Sequence, residues 1–446
     1  MNVTGRLAGV ALVLCIGLLG LGAMPLAAQT PGGGADPCAG PGQHYTVAEY
    51  NAYTAAANEK SPPAQLKALD DFAAKYPNSC LMNYIYPLYY QNYAAQKNFP
   101  KVVEYVDKML ALGDRLTPGE KYQAYSGRAF AFNNTANPDA ATAQAAYKAA
   151  LDGAKSVDAL PKPEGMDDAK WGEQKKQAIL GFHSTAAAAA MAAKDYANAV
   201  TEYKTVLASN PDDFVANYYV GRAYSAMNQQ LDAIWAFARA ASSKTANDKQ
   251  AKQVKDYLRS TALPKFQGGT VCDALTDAEL NELLQLASTS VDRPASYKLI
   301  SAADLDTARK DMTIASVVTD LKAGGDRAKL TWTAACGLEF PDVPGKLIEN
   351  IPGADVIELK LAFVTSEAEF DAKNTADMDV KIKTADQPEA AKLEKDSAPR
   401  FTGTLESYTP DPSFMLNWDK AKVNPDDLPK EGKKPAATKK PAAKKP

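Results

Sequence analysis

Residues 180–247 read LGFHSTAAAAAMAAKDYANAVTEYKTVLASNPDD followed by FVANYYVGRAYSAMNQQLDAIWAFARAASSKTAN, two 34-residue units set end to end. In register, Ala187 falls on Gly221, Ala199 on Ala233, Tyr203 on Phe237 and Val206 on Ala240, and Pro211 closes the first unit. Small residues at two fixed places and an aromatic at a third suit a pair of closely crossed helices. Backbones approach only where side chains are small, and a buried ring then wedges the pair.

The pattern resembles the tetratricopeptide repeat (TPR) family, with small residues at the eighth and twentieth places, an aromatic at the twenty-fourth and proline at the thirty-second. The same frame extends upstream. On 49–82 it places Ala56, Ala68 and Phe72 at the small, small and aromatic positions, with Pro77 near the close. The next unit, 83–116, departs in its first half. Tyr90 takes the usual small place, which predicts a wider crossing, and Pro87 would disturb a helix unless the helix begins near it. Its second half follows the pattern, since Lys97-Asn98-Phe99 corresponds to Lys194-Asp195-Tyr196. A further unit fits 120–157 with four residues inserted around Asn133–Pro138, bringing Gly127 and Tyr147 into frame. Residues 158–168 read as a loop, and 246–262 as a polar terminal helix of the kind that covers the last face of a solenoid. The helical repeat domain is therefore expected over 46–264.

Beyond Gly268-Gly269 the periodicity changes. A C-terminal domain is expected over 270–428, helical to about residue 322, with Thr276 and Glu279 as a capping box. From Lys329 the runs 329–334, 356–364, 378–382, 400–408 and 414–419 read as strands. The stretch 401–416 looks like a hairpin of a small barrel, with a resemblance to the OB type. The expected fold class is mainly α: a TPR α-solenoid followed by a smaller α+β domain with a β-barrel-like sheet.

The ends are of different character. Arg6 precedes an apolar run from Leu7 to Ala23, and Leu26-Ala27-Ala28 suits a small-residue cleavage site, so 1–28 reads as a secretory signal peptide. An uncleaved anchor is the alternative, although the run is short for a membrane span and carries four glycines. Residues 29–45 are Gly- and Pro-rich and read as a flexible leader. Residues 429–446 form a Lys/Pro/Ala-rich tail without the apolar content for a core. The chain carries −3 overall, but residues 430–446 hold seven lysines and one glutamate, leaving −9 on everything before them.

Four of the five cysteines, Cys38, Cys80, Cys272 and Cys336, lie beyond the cleavage site. An even number in an exported chain favours disulfides. The pairs Cys38–Cys80 and Cys272–Cys336 each close a loop inside one domain, whereas other pairings tie the leader region to the C-terminal domain. The expected location is periplasmic or secreted.

Catalysis has little to draw on. The chain has two histidines, His44 in the leader and His183 at a repeat place where bulk favours packing. There is no Gly-rich phosphate loop, no His-Glu-x-x-His, no Gly-x-Ser-x-Gly and no Cys-x-x-Cys. The chain is accordingly read as a non-enzyme with no cofactor and no metal. The function expected is a scaffold that binds a protein or peptide partner in the cell envelope. A ligand-binding module with its site in the C-terminal β domain is one alternative, and an enzyme with its site there is a second. The lysine-rich tail suits an anionic envelope surface, with no nucleic acid expected.

The resemblance implies where the partner sits, because the first helix of each TPR unit lines the groove at places two, five, nine, twelve and thirteen. Carried over residue by residue, those places give Tyr50, Tyr53, Tyr84, Gln91, Lys121, Arg128, Tyr218 and Arg222. The unit at 180–213 offers only Gly181, Ser184, Ala188, Met191 and Ala192 and should be energetically quiet. Of the tyrosines in 84–93, Tyr84 alone is expected on the groove face, with Tyr86, Tyr89, Tyr90 and Tyr93 in helix packing.

Overall fold

The structure is a computed structural model that describes Cys38 and residues 44–269, 272–295, 297–410 and 412–429. The expected signal peptide, the tail beyond residue 429 and the leader apart from Cys38, His44 and Tyr45 lie outside the described residues. The chain divides into two compact units, 1–246 and 247–446. The division falls ahead of the polar helix expected to end the repeats, so that helix groups with the second unit.

The first unit is a helical, solenoid-like stack of five hairpins: α1 (Val47–Asn58) with α2 (Pro62–Lys75), α3 (Met82–Ala95) with α4 (Phe99–Leu110), α5 (Pro118–Asn134) with α6 (Ala140–Ser156), α7 (Asp168–Ala192) with α8 (Tyr196–Ser209), and α9 (Phe214–Ala226) with α10 (Gln230–Ala241). Each helix packs on the next, and α1, α3, α5 and α7 also pack in succession on one another. Three of the intervening turns share one backbone solution. Lys97, Lys194 and Asn228 all take the fifteenth place of the 34-residue frame and all adopt positive φ, at 57°, 62° and 61°. The next residue then bonds back across the helix end, Asn98 N–H to Tyr93 C=O at 2.8 Å, Asp195 to Ala190 at 2.8 Å and Gln229 to Tyr224 at 2.9 Å. This satisfies carbonyls that a helix terminus leaves open. Asn98 and Asp195 also accept from the first turn of the following helix, so one short motif ends one helix and starts the next.

Close crossings occur at the small places. A Cβ on Gly221 would lie 2.8 Å from Cδ1 of Phe237, so the ring occupies the room that a side chain would need. Tyr90, large where the pattern is small, lies against the next hairpin's Gly127, where an added Cβ would be 3.1 Å from Val106 and 3.7 Å from the Tyr90 ring. A bulky residue on α3 is thus offset by a missing one on α5. Helix α3 does not begin at Pro87 but runs through it, the proline lying in its second turn.

The second unit begins with α11 (Asp248–Tyr257), which passes through a π turn at Leu258–Ala262 into α12 (Leu263–Phe266), then α13 (Asp273–Thr289), α14 (Ala302–Lys310), α15 (Ile314–Ala323) and α16 (Gly325–Ala335). It ends in a closed barrel of order β1-β2-β3-β5-β4, made of β1 (Glu339–Ile351), β2 (Val356–Phe363), β3 (Met378–Lys383), β4 (Arg400–Thr409) and β5 (Met415–Val423), with α17 (Glu367–Ala372) between β2 and β3. All strand pairs are antiparallel except β3 with β5, which are parallel, Val380 opposite Trp418. Alternate residues fill the interior: Ile357, Leu359 and Leu361 from β2, Met378, Val380 and Ile382 from β3, Phe401 and Leu405 from β4, Leu416 and Trp418 from β5. Val317, Val318 and Leu321 of α15 and Ala328 of α16 join the same core.

At three places the structure differs from the sequence expectation. Residues 329–334 are helix, not strand. Their alternation of Thr331 and Thr333 mimics a period of two, but Thr331 donates to buried Asp320 of α15 at 2.9 Å and Thr333 bonds back to Lys329 C=O at 2.8 Å, both within a helical hairpin. The longest strand, β1, was missed because Pro341, Pro344 and Gly345 interrupt its sequence. The chain accommodates the prolines with a register shift between Phe340 and Val343 and positive φ at Asp342. Thr276 and Glu279 do not cap α13, which starts earlier with Cys272 as N-cap. Thr276 bonds to Cys272 C=O, and Glu279 is buried.

Cys38 is joined to Cys80 and Cys272 to Cys336, with Cα separations of 5.4 and 5.7 Å. Two disulfides point to an oxidising, non-cytosolic compartment. Among the described residues no helix is long and apolar enough to cross a membrane.

Candidate partner-binding face

The feature that draws attention is at the first hairpins. Thr46 caps α1 and forms a capping box with Glu49, which fixes the entry of the chain. The residue before the cap, Tyr45, then stacks on the fourth helical residue, Tyr50, with ring centroids 5.7 Å apart and planes 16° from parallel. This is the staple arrangement in which residues flanking an N-cap pack across it. Tyr50 meets Tyr53 at 6.3 Å and 53°, and Tyr53 meets Tyr84 of α3 at 5.9 Å and 45°. Tyr50 and Tyr84 are 37% and 39% exposed, high for such large rings, whereas Tyr45 and Tyr53 are partly buried against the core of the first hairpins. Burial raises the hydroxyl of Tyr53 above the ordinary tyrosine value, with the neighbouring Tyr84 and Tyr50 adding to it.

Beside the row, a cavity of about 220 Å³ is lined by His44, Tyr45, Asn83, Tyr84, Leu112 and Arg115, next to the Cys38–Cys80 bridge. Asn83 donates from Nδ2 to Glu120 of α5 at 2.7 Å, while its buried Oδ1 has no hydrogen-bond partner among the described residues.

Three of the eight expected groove residues, Tyr50, Tyr53 and Tyr84, thus come together. The other five are dispersed. Gln91 is exposed further along α3, and Lys121 lies 3.5 Å from exposed Asp114. Arg128 is only 13% exposed and forms an ion pair with Asp107 of α4, so its guanidinium serves the packing of α4 on α5. On α9, Tyr218 is held among Phe214, Tyr219 and Phe237, and exposed Arg222 sits 5.5 Å from the Tyr219 ring centre. Sequence reasoning missed Tyr45, assigned to a flexible leader, together with His44, Asn83 and Arg115. The signal for Tyr45 was available as an aromatic directly before the Thr46/Glu49 capping box. For Asn83 and Arg115 there was none, since only the stacking of hairpins brings them together.

The neighbouring tyrosines behave differently. Tyr89 and Tyr105 stack at 4.0 Å, Tyr89 donates to Asp70 at 2.7 Å, and Lys108 lies 4.4 Å from the centre of the Tyr105 ring. They line a second cavity of about 270 Å³ with Met82 and Tyr86. Burial, ahead of neighbouring charges, pushes the Tyr105 hydroxyl up to about 12. Their ring faces are engaged with one another and with Lys108, so this cluster is packing, as is buried Tyr90.

His183 lies 2.6 Å from the carboxylate of Glu202, which also accepts from Tyr147 at 3.4 Å. The three cross-link α6, α7 and α8. Among the described residues no group of three or more histidine, cysteine or carboxylate side chains is placed to hold a metal ion. No protein-family model and no curated protein matches the chain.

Proposed function

We propose that the chain is an exported, non-catalytic scaffold of the TPR type that holds a protein or peptide partner in the periplasm or outside the cell. The observation that carries this reading is the row Tyr45–Tyr50–Tyr53–Tyr84 at the start of α1 and on α1 and α3, helices of the series that packs in succession, with the Tyr50 and Tyr84 rings exposed. Tyrosine brings large contact area with a polar tip and is enriched among the residues that carry binding energy at interfaces. The three turns with positive φ at one place of the 34-residue frame support the TPR resemblance.

A second reading places a ligand on the barrel. Its support is the closed five-stranded order, in keeping with the OB resemblance, and the β1–β2 tip, where Ile351 and Val356 are 40% and 38% exposed. A photo-crosslinking residue placed at position 84 or at position 351 of the exported chain separates the two. Adducts from position 84 that disappear with Tyr50→Ala support the first reading, and adducts confined to position 351 transfer the function to the barrel.

A further inference from the structure

In the second unit, Gln267 ends α12 and is followed by Gly268 and Gly269, both at positive φ, 79° and 104°. Glu279 stands in the second turn of α13. The two side chains meet across this glycine junction, Gln267 donating from Nε2 to Glu279 Oε2 at 2.8 Å. Gln267 is 1% and Glu279 4% exposed, so each polar atom there needs a partner inside the protein. The second oxygen of each group, Gln267 Oε1 and Glu279 Oε1, is buried without a hydrogen-bond partner among the described residues. Two open buried acceptors are costly. A single proton on the carboxyl satisfies both, because a carboxylic acid and an amide can each donate to and accept from the other.

The groups around the pair are engaged with others. Lys329 of α16 faces the carboxyl, but its Nζ lies 3.3 Å from Glu282 Oε2, one turn along α13. The segment after α13 brings Tyr297, and with it Arg293. The π turn before α12 contributes Arg259, which pairs with Asp277. On α13 itself Thr276 donates to Cys272 C=O. Burial holds the Glu279 carboxyl above its ordinary value, against the opposing effects of the Gln267 amide and Lys329. We infer that Glu279 keeps a proton in the folded chain and donates that O–H to Gln267 Oε1, closing a two-bond ring that locks the end of α12 onto α13 and opens as pH rises. Ionisation removes the donor and returns both oxygens to open acceptors, and the glycine pair gives the junction freedom to part. The sign follows from the protonated form being the stabilised one: the lock is complete in acid and is lost as pH rises through the folded value.

Infrared difference spectra of the full chain test the proton. At about pH 6 ordinary carboxyls are ionised, so a remaining protonated-carboxyl band belongs to a raised group. That band should be present in the native chain and vanish in Glu279→Gln. Gln267→Met, which removes the amide, should move it to higher frequency as the carboxyl carbonyl loses a hydrogen bond. Hydrogen exchange reads the lock. One proton linked to opening lowers protection by up to about tenfold per pH unit above the folded value. Amides in the first turns of α13 should show that loss beyond the intrinsic pH dependence of exchange. Glu279→Gln, whose amide can make the same two bonds to Gln267 and does not titrate, should abolish it. Absence of the band from the native chain, or its survival in Glu279→Gln, overturns the proton. A band indifferent to Gln267→Met, or an equal pH dependence of protection in the native chain and in Glu279→Gln, overturns the lock.

Discussion

Removing the Cys272–Cys336 bridge should lower the stability of the second unit by about 4 kcal/mol. The bridge ties the N-cap of α13 to the residue following α16, at the entrance to β1, and encloses a sequence separation of 64 residues. A cross-link of that span removes loop entropy from the unfolded chain amounting to about 4 kcal/mol at room temperature. For a unit of this size each kcal/mol moves the melting temperature by about 2–4 °C, so the shift should be about 8–16 °C. Calorimetry on Cys272→Ala/Cys336→Ala, beside Cys38→Ala/Cys80→Ala, resolves it. Cys38 and Cys80 are separated by 42 residues in the other unit, so that pair should cost a similar amount in a different transition. An unchanged thermogram for the first variant, or the same transition lowered by both, would refute the reasoning.

Gly221→Ala should cost about 1–3 kcal/mol in the first unit, since the new Cβ must displace the buried Phe237 ring; denaturant titration measures it. Arg128→Ala should destabilise that unit by about 1–2 kcal/mol, chiefly by removing a largely buried side chain from the packing of α4 on α5, since half-exposed Asp107 is left to water, whereas exposed Arg222→Ala should leave the melting temperature within a degree or so. Burial raises the Glu279 carboxyl above its ordinary value, against the Gln267 amide at 2.8 Å and the charge of Lys329. A raised folded value means stability is present below the unfolded value and lost as pH rises through the folded one. The second unit should therefore gain from Glu279→Gln at neutral pH and not at about pH 4, and parallel melting-temperature curves would count against this. Asp277 and Asp304, held below the ordinary range by Arg259 and Ser301, act in the opposite sense at lower pH.

The 34-residue period, the helix-ending turns and the inward alternation of β2 and β3 were readable because each depends on residues close in sequence. A small side chain, a positive-φ position or a period of two leaves its mark locally. The disulfide pairing was readable for a different reason, since only one pairing kept both loops inside their domains. Other features depended on what lies opposite. The alternation at 329–334 fits a strand until Asp320 of α15 is seen accepting from Thr331. The prolines of β1 argue against a strand until the register shift beside them is known. Arg128 looks like a groove residue until Asp107 of the preceding hairpin holds it. At the tyrosine row both levels are needed. The repeat frame put Tyr50, Tyr53 and Tyr84 on one set of helix faces, but only packing of α1 against α3 brought the Tyr84 ring to 5.9 Å from Tyr53, and only the cap at Thr46 folded Tyr45 back onto Tyr50.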